Sequence, residues 1–260
     1  MSAKPALNRR GFLSRGLAVA GATLLGGCEE LSEQPWVRRV LDKAEILTRV
    51  TQRALIPPAA LAREYGEADI STEFKANGST NPDDAAYVAQ AAKGFADWKL
   101  KVDGLVEQPL ELSLTDLRAM PSRTQITRHD CVEGWSCIGK WTGVPLRLLL
   151  DKARLKPSAR YIVFYCADDL GETGTDNGKY YESIGLTDAF HPQPILAYAM
   201  NGAALPIPHG APLRLRVERQ LGYKMPKYVM RIEAVEEIAT IRGGHGGFWE
   251  DLGYEWYGGI

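Results

Sequence analysis

The sequence is short of cysteine, balanced in charge and free of any apolar run long enough for a membrane span. Lys+Arg 31 against Asp+Glu 32 gives a formal charge of -1, which excludes a general nucleic-acid binder working through a basic surface. The apolar stretch Leu17 to Leu25 is far below the roughly 20 residues that cross a bilayer as a helix. No Cys-x-x-Cys pair and no Cys-x-x-Cys-His haem-attachment motif occurs among the 4 cysteines, so bound haem c and dithiol redox motifs find no support. No repeat of fixed period is evident. What is present is a 45% hydrophobic content with Gly 26 and Pro 15. Such a chain buries a sizeable core and favours strands joined by turns over a helical bundle.

The first 27 residues differ from the rest. They carry Lys4, Arg9, Arg10 and Arg15 with no acid, so the remainder is four units more negative than the whole chain. A basic start, a short apolar run and small residues before Cys28 read as an export signal. Arg9-Arg10-Gly11-Phe12-Leu13 resembles the twin-arginine motif, which exports proteins already folded around a cofactor. Leu25-Gly26-Gly27-Cys28 resembles a lipobox, which would place a lipid on Cys28. These features predict a periplasmic protein, or one held on the outer face of a membrane by that lipid. Three cysteines then remain, Cys131, Cys137 and Cys166. At least one thiol stays outside any intrachain disulfide in an oxidising compartment.

Over residues 36–64 basic, acidic and apolar positions alternate, with Val37, Val40, Leu41, Ala44 and Leu47 on a helical period that Pro57-Pro58 interrupts; a further helical turn is expected over Leu61 to Tyr65, an irregular loop over 66–84 and a short helix over 83–95. Alternation then predicts strands at Trp98–Val106, Leu110–Leu114, Tyr161–Cys166, Tyr180–Ile184, Ile195–Met200, Leu213–Val217 and Val229–Val235. Thr115 is the expected cap of a helix over Asp116–Met120, and Val144–Ala153 a helix with proline in its first turn. Asn201-Gly202 is a strong hairpin signal. The fold class is α+β, a mixed and mostly β core with helices around it. The expected division is a signal over 1–27, a helical and loop extension over 28–95, a catalytic domain over 96–240 and a Gly/aromatic tail over 241–260 packed on it.

One segment concentrates chemistry. Arg128-His129-Asp130-Cys131-Val132-Glu133-Gly134-Trp135-Ser136-Cys137 sets a thiol among charged and aromatic groups in a glycine-containing loop. Arg128 favours a thiolate and Asp130 opposes it. Soft thiolates suit soft metal centres, and cysteines six apart fit no zinc knuckle. Further on, His209-Gly210-Ala211-Pro212-Leu213-Arg214 and Gly222-Tyr223-Lys224-Met225-Pro226-Lys227 supply the Arg, Lys and tight-loop backbone that a phosphate group wants. Each has a plainer reading: Arg214 facing solvent beside Arg216, His209 satisfied in a turn, Lys227 on the surface.

The cysteine segment resembles the motif of the sulfite oxidase superfamily, in the branch of the periplasmic methionine-sulfoxide reductase catalytic subunits. There the pattern is Arg-x-x-Cys-Val-Glu-x-Trp-Ser followed by Trp-x-Gly-x-Pro-Leu. Arg128, Cys131, Val132, Glu133, Trp135 and Ser136 match it, then Trp141, Gly143, Pro145 and Leu146. The resemblance runs over about 98–237 and implies the superfamily's molybdopterin-binding fold, with molybdenum-molybdopterin as cofactor and Cys131 as the protein ligand to the metal. It implies that His129, Asp130 and Cys166 stand near the reacting centre. Arg128, Trp135, His209, Arg214, Lys224, Met225 and Lys227 would bind cofactor, with Tyr165 a further candidate for its wall.

The sequence departs from the branch in having Asp130 where an arginine stands, Cys166 where a threonine stands, and His209 in the sulfite-oxidase form of the phosphate motif. The substrate, sulfoxide or sulfite, therefore stays open. The implied activity is oxygen-atom transfer by an exported monomer served by an external electron partner, a membrane haem protein or a soluble cytochrome. The competing class is a binding module that kept the fold and lost the chemistry. Cys137 is either a partner for Cys166 or an inert thiol.

Overall fold

The computed structural model describes residues 34–57, 59–171 and 178–260. The twin-arginine and lipobox-like features lie outside them. The chain divides into two compact units, Met1–Leu55 and Ile56–Ile260. In the first, helix α1 covers Pro35–Leu55. It starts on a proline, whose missing N–H costs nothing in a first turn.

The larger unit is built on two sheets. After a short helix α2 (Ala85–Ala92), strands β1 (Lys99–Gly104) and β2 (Leu110–Ser113), helix α3 (Leu114–Ala119) and the long strands β3 (Arg123–Asp130) and β4 (Ser136–Pro145) follow. Helix α4 (Leu146–Ala153), strands β5 (Tyr161–Asp169) and β6 (Lys179–Gly185) and helix α5 (Leu186–Ala189) come next. Strands β7 (Ile195–Met200), β8 (Ala203–Ala204), β9 (Arg214–Arg216) and β10 (Val229–Val235) complete the framework. One sheet runs β2-β1-β10-β5-β6; the other runs β3-β4-β7-β8, with β9 paired to β7. Among the described strands only the β1–β10 pairing is parallel, and it joins segments some 130 residues apart in the middle of this sheet.

Alternation sets the faces as expected where one face meets water. Leu100 and Val102 of β1 point into the core between exposed lysines. In β5, Ile162, Val163 and Phe164 are all buried because both faces are covered. Trp98, Leu149, Leu196, Leu215 and Ile232 belong to the same core. The Asn201–Gly202 hairpin forms with φ of +51° and +82°, the paired positive values of a tight type I′ turn.

Three local expectations change. Ser113, not Thr115, caps α3: its Oγ accepts from the Asp116 N–H at 3.1 Å while the Asp116 carboxylate accepts from the Ser113 N–H at 2.9 Å, a reciprocal capping box. Val144 and Pro145 finish β4, so the following helix starts at Leu146. Leu61–Tyr65 is not helical. Glu64 bridges Thr127, and the Tyr65 N–H donates to Ile126 at 2.9 Å. The open edge of β3 offers unpaired backbone groups that outweigh a weak helical period. The boundary at Leu55 also leaves residues 56–95 with the larger unit, where Tyr87 of α2 is buried against Tyr228.

Candidate functional site

Cys131 stands at the tip of the β3–β4 hairpin. Its N–H donates to the Trp135 carbonyl at 3.0 Å, and its carbonyl accepts from the Gly134 N–H at 3.0 Å. Gly134 has φ +82°, a conformation that costs a side chain strain. The Val-Glu-Gly-Trp spacing is therefore the geometry of a turn that holds one thiol outward. Trp135 closes it from the side by donating its indole N–H to Glu133 at 2.8 Å. Partial burial raises the Cys131 pKa, so a metal arriving here displaces a proton.

The preceding strand splits the expected residues between two faces. His129 points inward and is fully buried. Arg128 and Asp130 point the other way, pair with each other at 2.9 Å and line a separate surface hollow with Tyr65 and Glu218. Period-two geometry makes this unavoidable. The structure thus brings neither Arg128 nor Asp130 to the cleft that Cys131 lines. His129 is fixed by an interaction of Nδ1 with Arg216 Nη1 at 3.0 Å, and it packs under Gly222, where a Cβ would lie 2.5 Å from the imidazole. Burial and the neighbouring Arg216 and Arg214 keep this ring neutral.

The short strand β9 buries two arginines with different fates. Arg216 forks onto Glu218 at 2.8 and 2.6 Å and is neutralised. Arg214 is equally buried, yet its one hydrogen bond runs from Nη1 to the His209 carbonyl at 3.0 Å, and Nε and Nη2 have no partner. Its guanidinium carbon stacks 4.9 Å from the Trp141 ring. Burial and Arg216 push its pKa down to about 9, still cationic at neutral pH. His209 Nδ1 is also without a partner, and burial beside Arg214 and Lys227 brings its pKa down to about 4. Gly210 lets the chain pass here: a Cβ would come within 2.8 Å of the Lys227 side chain and 3.2 Å of Arg214.

Lys227 belongs to this group. Its ammonium donates to the carbonyls of Asn77, Ser79 and Pro208. Burial and Arg214 push its pKa down to about 7, against the opposing pull of Asp168 and Cys166. Lys224 does not join it. That side chain lies fully buried between Glu182 and Glu250 and is not among the residues that line the Cys131 cleft, although its loop neighbours Tyr223 and Met225 are.

Lys227, Met225 and Cys131 line one open cleft enclosing about 680 Å³. Its walls are mostly aromatic and apolar: Val132, Leu170, Tyr180, Tyr223, Trp249 and Tyr254. Asp168 also lines it, with Oδ1 unpartnered. Burial raises the Asp168 pKa to about 7, opposed by Lys227 and Lys179. Sequence reasoning missed Asp168, Asn77 and the tail aromatics. The density of Trp and Tyr after Gly243 was the available signal for the last of these.

Cys166 is buried on β5, where burial raises its pKa well above the ordinary thiol value. Tyr165, its neighbour on the strand, faces the other way and donates to Glu233 at 2.7 Å, so it forms no part of the cleft wall. Cys131, Cys137 and Cys166 are all free thiols, which rules out the Cys137–Cys166 pair. Phe74 packs edge-on to both His209, at 5.6 Å between ring centroids, and Trp141, at 5.3 Å, tying the loop before α2 to the cationic group.

Comparison with known proteins shows the family. Residues 87–240 match the family described as the oxidoreductase molybdopterin binding domain. The chain is 37% identical over 251 residues to the putative protein-methionine-sulfoxide reductase subunit YedZ1 of Azospira oryzae, covering 96% of this chain and 87% of that one. It is 32% identical over 248 residues to the protein-methionine-sulfoxide reductase catalytic subunit MsrP of Xanthomonas axonopodis pv. citri, covering 93% and 73%. Among solved structures, the sulfane dehydrogenase SoxCD of Paracoccus pantotrophus is similar at 26% identity and a TM-score of 0.48, over 54% of this chain and 39% of that one.

Proposed function

Because the chain belongs to the oxidoreductase molybdopterin-binding domain family, and is a molybdopterin-dependent oxidoreductase of the methionine-sulfoxide reductase branch, we propose that it reduces sulfoxides outside the cytoplasm. The observation that carries the reading is Arg214: a fully buried cation with two nitrogens that have no partner among the described residues, close to Lys227, which lines the cleft that also holds Cys131. A buried unpaired charge is costly, and a bound anion removes the cost. The arrangement fits a cofactor with a phosphate at one end and a soft metal at the other.

Arg214 and His209 would hold that phosphate, with Lys227 adding charge rather than a free hydrogen bond, since its three protons already face carbonyls. Cys131 would ligate the metal through its thiolate, and Gly134 fixes where that sulfur stands. Loaded, the molybdenum centre supplies the two electrons of oxygen-atom transfer. Sulfoxide plus two protons and two electrons gives sulfide and water.

The lining of the cleft favours a neutral sulfoxide over sulfite. Aromatic walls accept the two carbon arms of a sulfoxide. Glu133 and Asp168 repel an anion, and Lys227 is the lone cation among the described lining residues. Asp168 is also the group placed to hold a proton for the substrate oxygen, with Lys227 tuning it. Electrons come from a separate partner, a membrane haem protein or a soluble cytochrome. Export by the twin-arginine route, with Cys28 as lipid acceptor, places the enzyme where oxidised methionine side chains of exported proteins are its substrates.

The test is metal content and activity side by side, on the exported protein and its Cys131→Ser variant. One molybdenum per chain in the parent, loss in the variant, and reduction of methionine sulfoxide by a viologen donor are expected. Molybdenum with sulfite oxidation in place of sulfoxide reduction would reverse the substrate assignment. A folded parent that holds no molybdenum would leave the binding-module reading.

A further inference from the structure

Helix α1 leaves a row of large apolar side chains in water. Trp36, Val40, Ile46, Leu47, Val50 and Leu55 are each between 49% and 77% exposed. At 3.6 residues per turn, Trp36, Val40, Leu47 and Val50 fall within about 80° of the helix circumference, with Ile46 and Leu55 on its flanks. Lys43 falls on the same face between Trp36 and Val50, where its long side chain can reach over the apolar surface to water, and an apolar face of this extent marks a surface that something covers.

Charge says what that something is. Residues 35–55 carry five basic and two acidic residues, whereas the chain as a whole is at -1. The helix is thus a cationic, amphipathic segment in an otherwise acidic protein. No helix among the described residues is long and apolar enough to cross a membrane, and α1 has too many charges to try. A helix with a strong apolar face, basic residues on its other face and tryptophan at one end lies in the plane of an anionic bilayer. The chain before it points the same way. Six residues separate Cys28 from Pro35, and the span between the two reaches at most about 25 Å when extended. A lipid at Cys28 would hold α1 against the headgroups.

We propose that α1 is an in-plane membrane anchor that lays Trp36, Val40, Leu47 and Val50 into the interface of an anionic lipid surface. Together with an acylated Cys28 it would make the two signals that stable anchoring takes, since one alone is weak and reversible. The proposal draws on the export reading for its setting, but its test needs neither acylation nor the chemistry at Cys131.

The mature holoenzyme from residue 28, carrying Cys28→Ser so that no lipid is attached, is floated with vesicles of phosphatidylcholine alone or with one third phosphatidylglycerol. Flotation with the anionic vesicles, weakened by salt, is expected. A Val40→Glu/Leu47→Glu double variant should lose it on the order of tenfold or more, as the buried stripe becomes charged. Circular dichroism and molybdenum content of the variant show that it is folded and loaded. Absence of flotation in the parent, or equal flotation of parent and variant, overturns the proposal. So does a parent that ignores vesicles but forms dimers that the double variant dissolves, which would make the stripe a subunit contact. Mass spectrometry of the unmodified chain reports acylation of Cys28 separately.

Discussion

Two buried cations, Lys224 in the Gly222–Lys224 turn and Arg214 on β9, have opposite surroundings. Lys224 is enclosed by Glu182 and Glu250, each buried with it, and its charge is satisfied by the protein. Arg214 is just as buried, but its neighbours are Arg216, His209 and Lys227, and two of its nitrogens face no acceptor. The first arrangement closes a fold: it ties β6 and the Gly222–Lys224 turn to the C-terminal tail, which bridges back at Glu182 and Gly247. The second leaves two guanidinium nitrogens without an acceptor among the described residues. Burial and charge alone do not distinguish a structural cation from a binding one. The presence of a counter-charge does.

That contrast gives the largest predicted effect. Lys224→Met leaves two carboxylates buried together without a cation and should cost the cofactor-free chain about 3–5 kcal/mol, read by denaturant unfolding. Arg214→Met removes an uncompensated charge, so the same measurement should show little loss or a gain, while the exported protein loses its molybdenum. If Arg214→Met is as destabilising as Lys224→Met, the cationic cluster is structural and the comparison fails.

A second expectation follows from the two histidines. His129 and His209 are held neutral, the latter with its pKa brought down to about 4, whereas in the unfolded chain they take up protons near pH 6.5. Between these values the unfolded state binds more protons, so stability falls as pH drops from about 6.5 towards 4. Asp168, with its pKa raised to about 7, works the other way, losing stability as pH rises from about 4 through 7. Unfolding curves of the cofactor-free chain at pH 7 and 5 should therefore show a smaller acid loss in His209→Gln and a larger one in Asp168→Asn. Identical slopes in parent and variants would mean that these groups titrate normally.

Activity should separate Asp168 from the cations around it. Asp168→Asn should keep its molybdenum yet lose the fall in kcat as pH rises past about 7, flattening that limb of the pH profile. An unchanged profile would remove Asp168 from proton transfer. The smallest effect belongs to Gly134. Alanine there meets no neighbouring atom, so the cost is the left-handed conformation alone, about 1 kcal/mol. Metal binding should suffer more than stability, because the turn sets the Cys131 sulfur; an equal loss in both would show that the turn is only a connector.

The spacing Arg-x-x-Cys-Val-Glu-x-Trp-Ser carried the family, and alternation carried β1, β2, β5, β6, β7, β9 and β10 but not the long strands β3 and β4, because alternation and spacing are local properties of the chain and the β3–β4 hairpin has no clean apolar alternation. The same alternation misled at Leu213–Val217. Arg214 and Arg216 look like the solvent face of a half-buried strand, but β9 lies with both its faces covered, and each arginine is buried. Whether a strand has one wet face is decided by what packs on it, which the strand does not encode. Period two also placed His129 apart from Arg128 and Asp130, a separation legible beforehand in the strand pattern though not drawn from the motif.

By itself the sequence determined the chemistry within reach: a thiol in a glycine-containing segment, arginine and lysine residues in two glycine-bearing loops, a core of alternating strands, and a helix with five basic residues after a basic and then apolar first 27 residues. Only the tertiary structure decided which cations are spoken for. Lys224 was assigned to the anion site by its motif and taken from it by Glu182 and Glu250, which are 42 and 26 positions away. Asp168 entered the cleft because β5 runs beside the loop that bears Lys227 once the sheet has formed. Electrostatic pairing in a protein interior depends on distance in space, and a carboxylate remote in the chain screens a buried charge as well as an adjacent one.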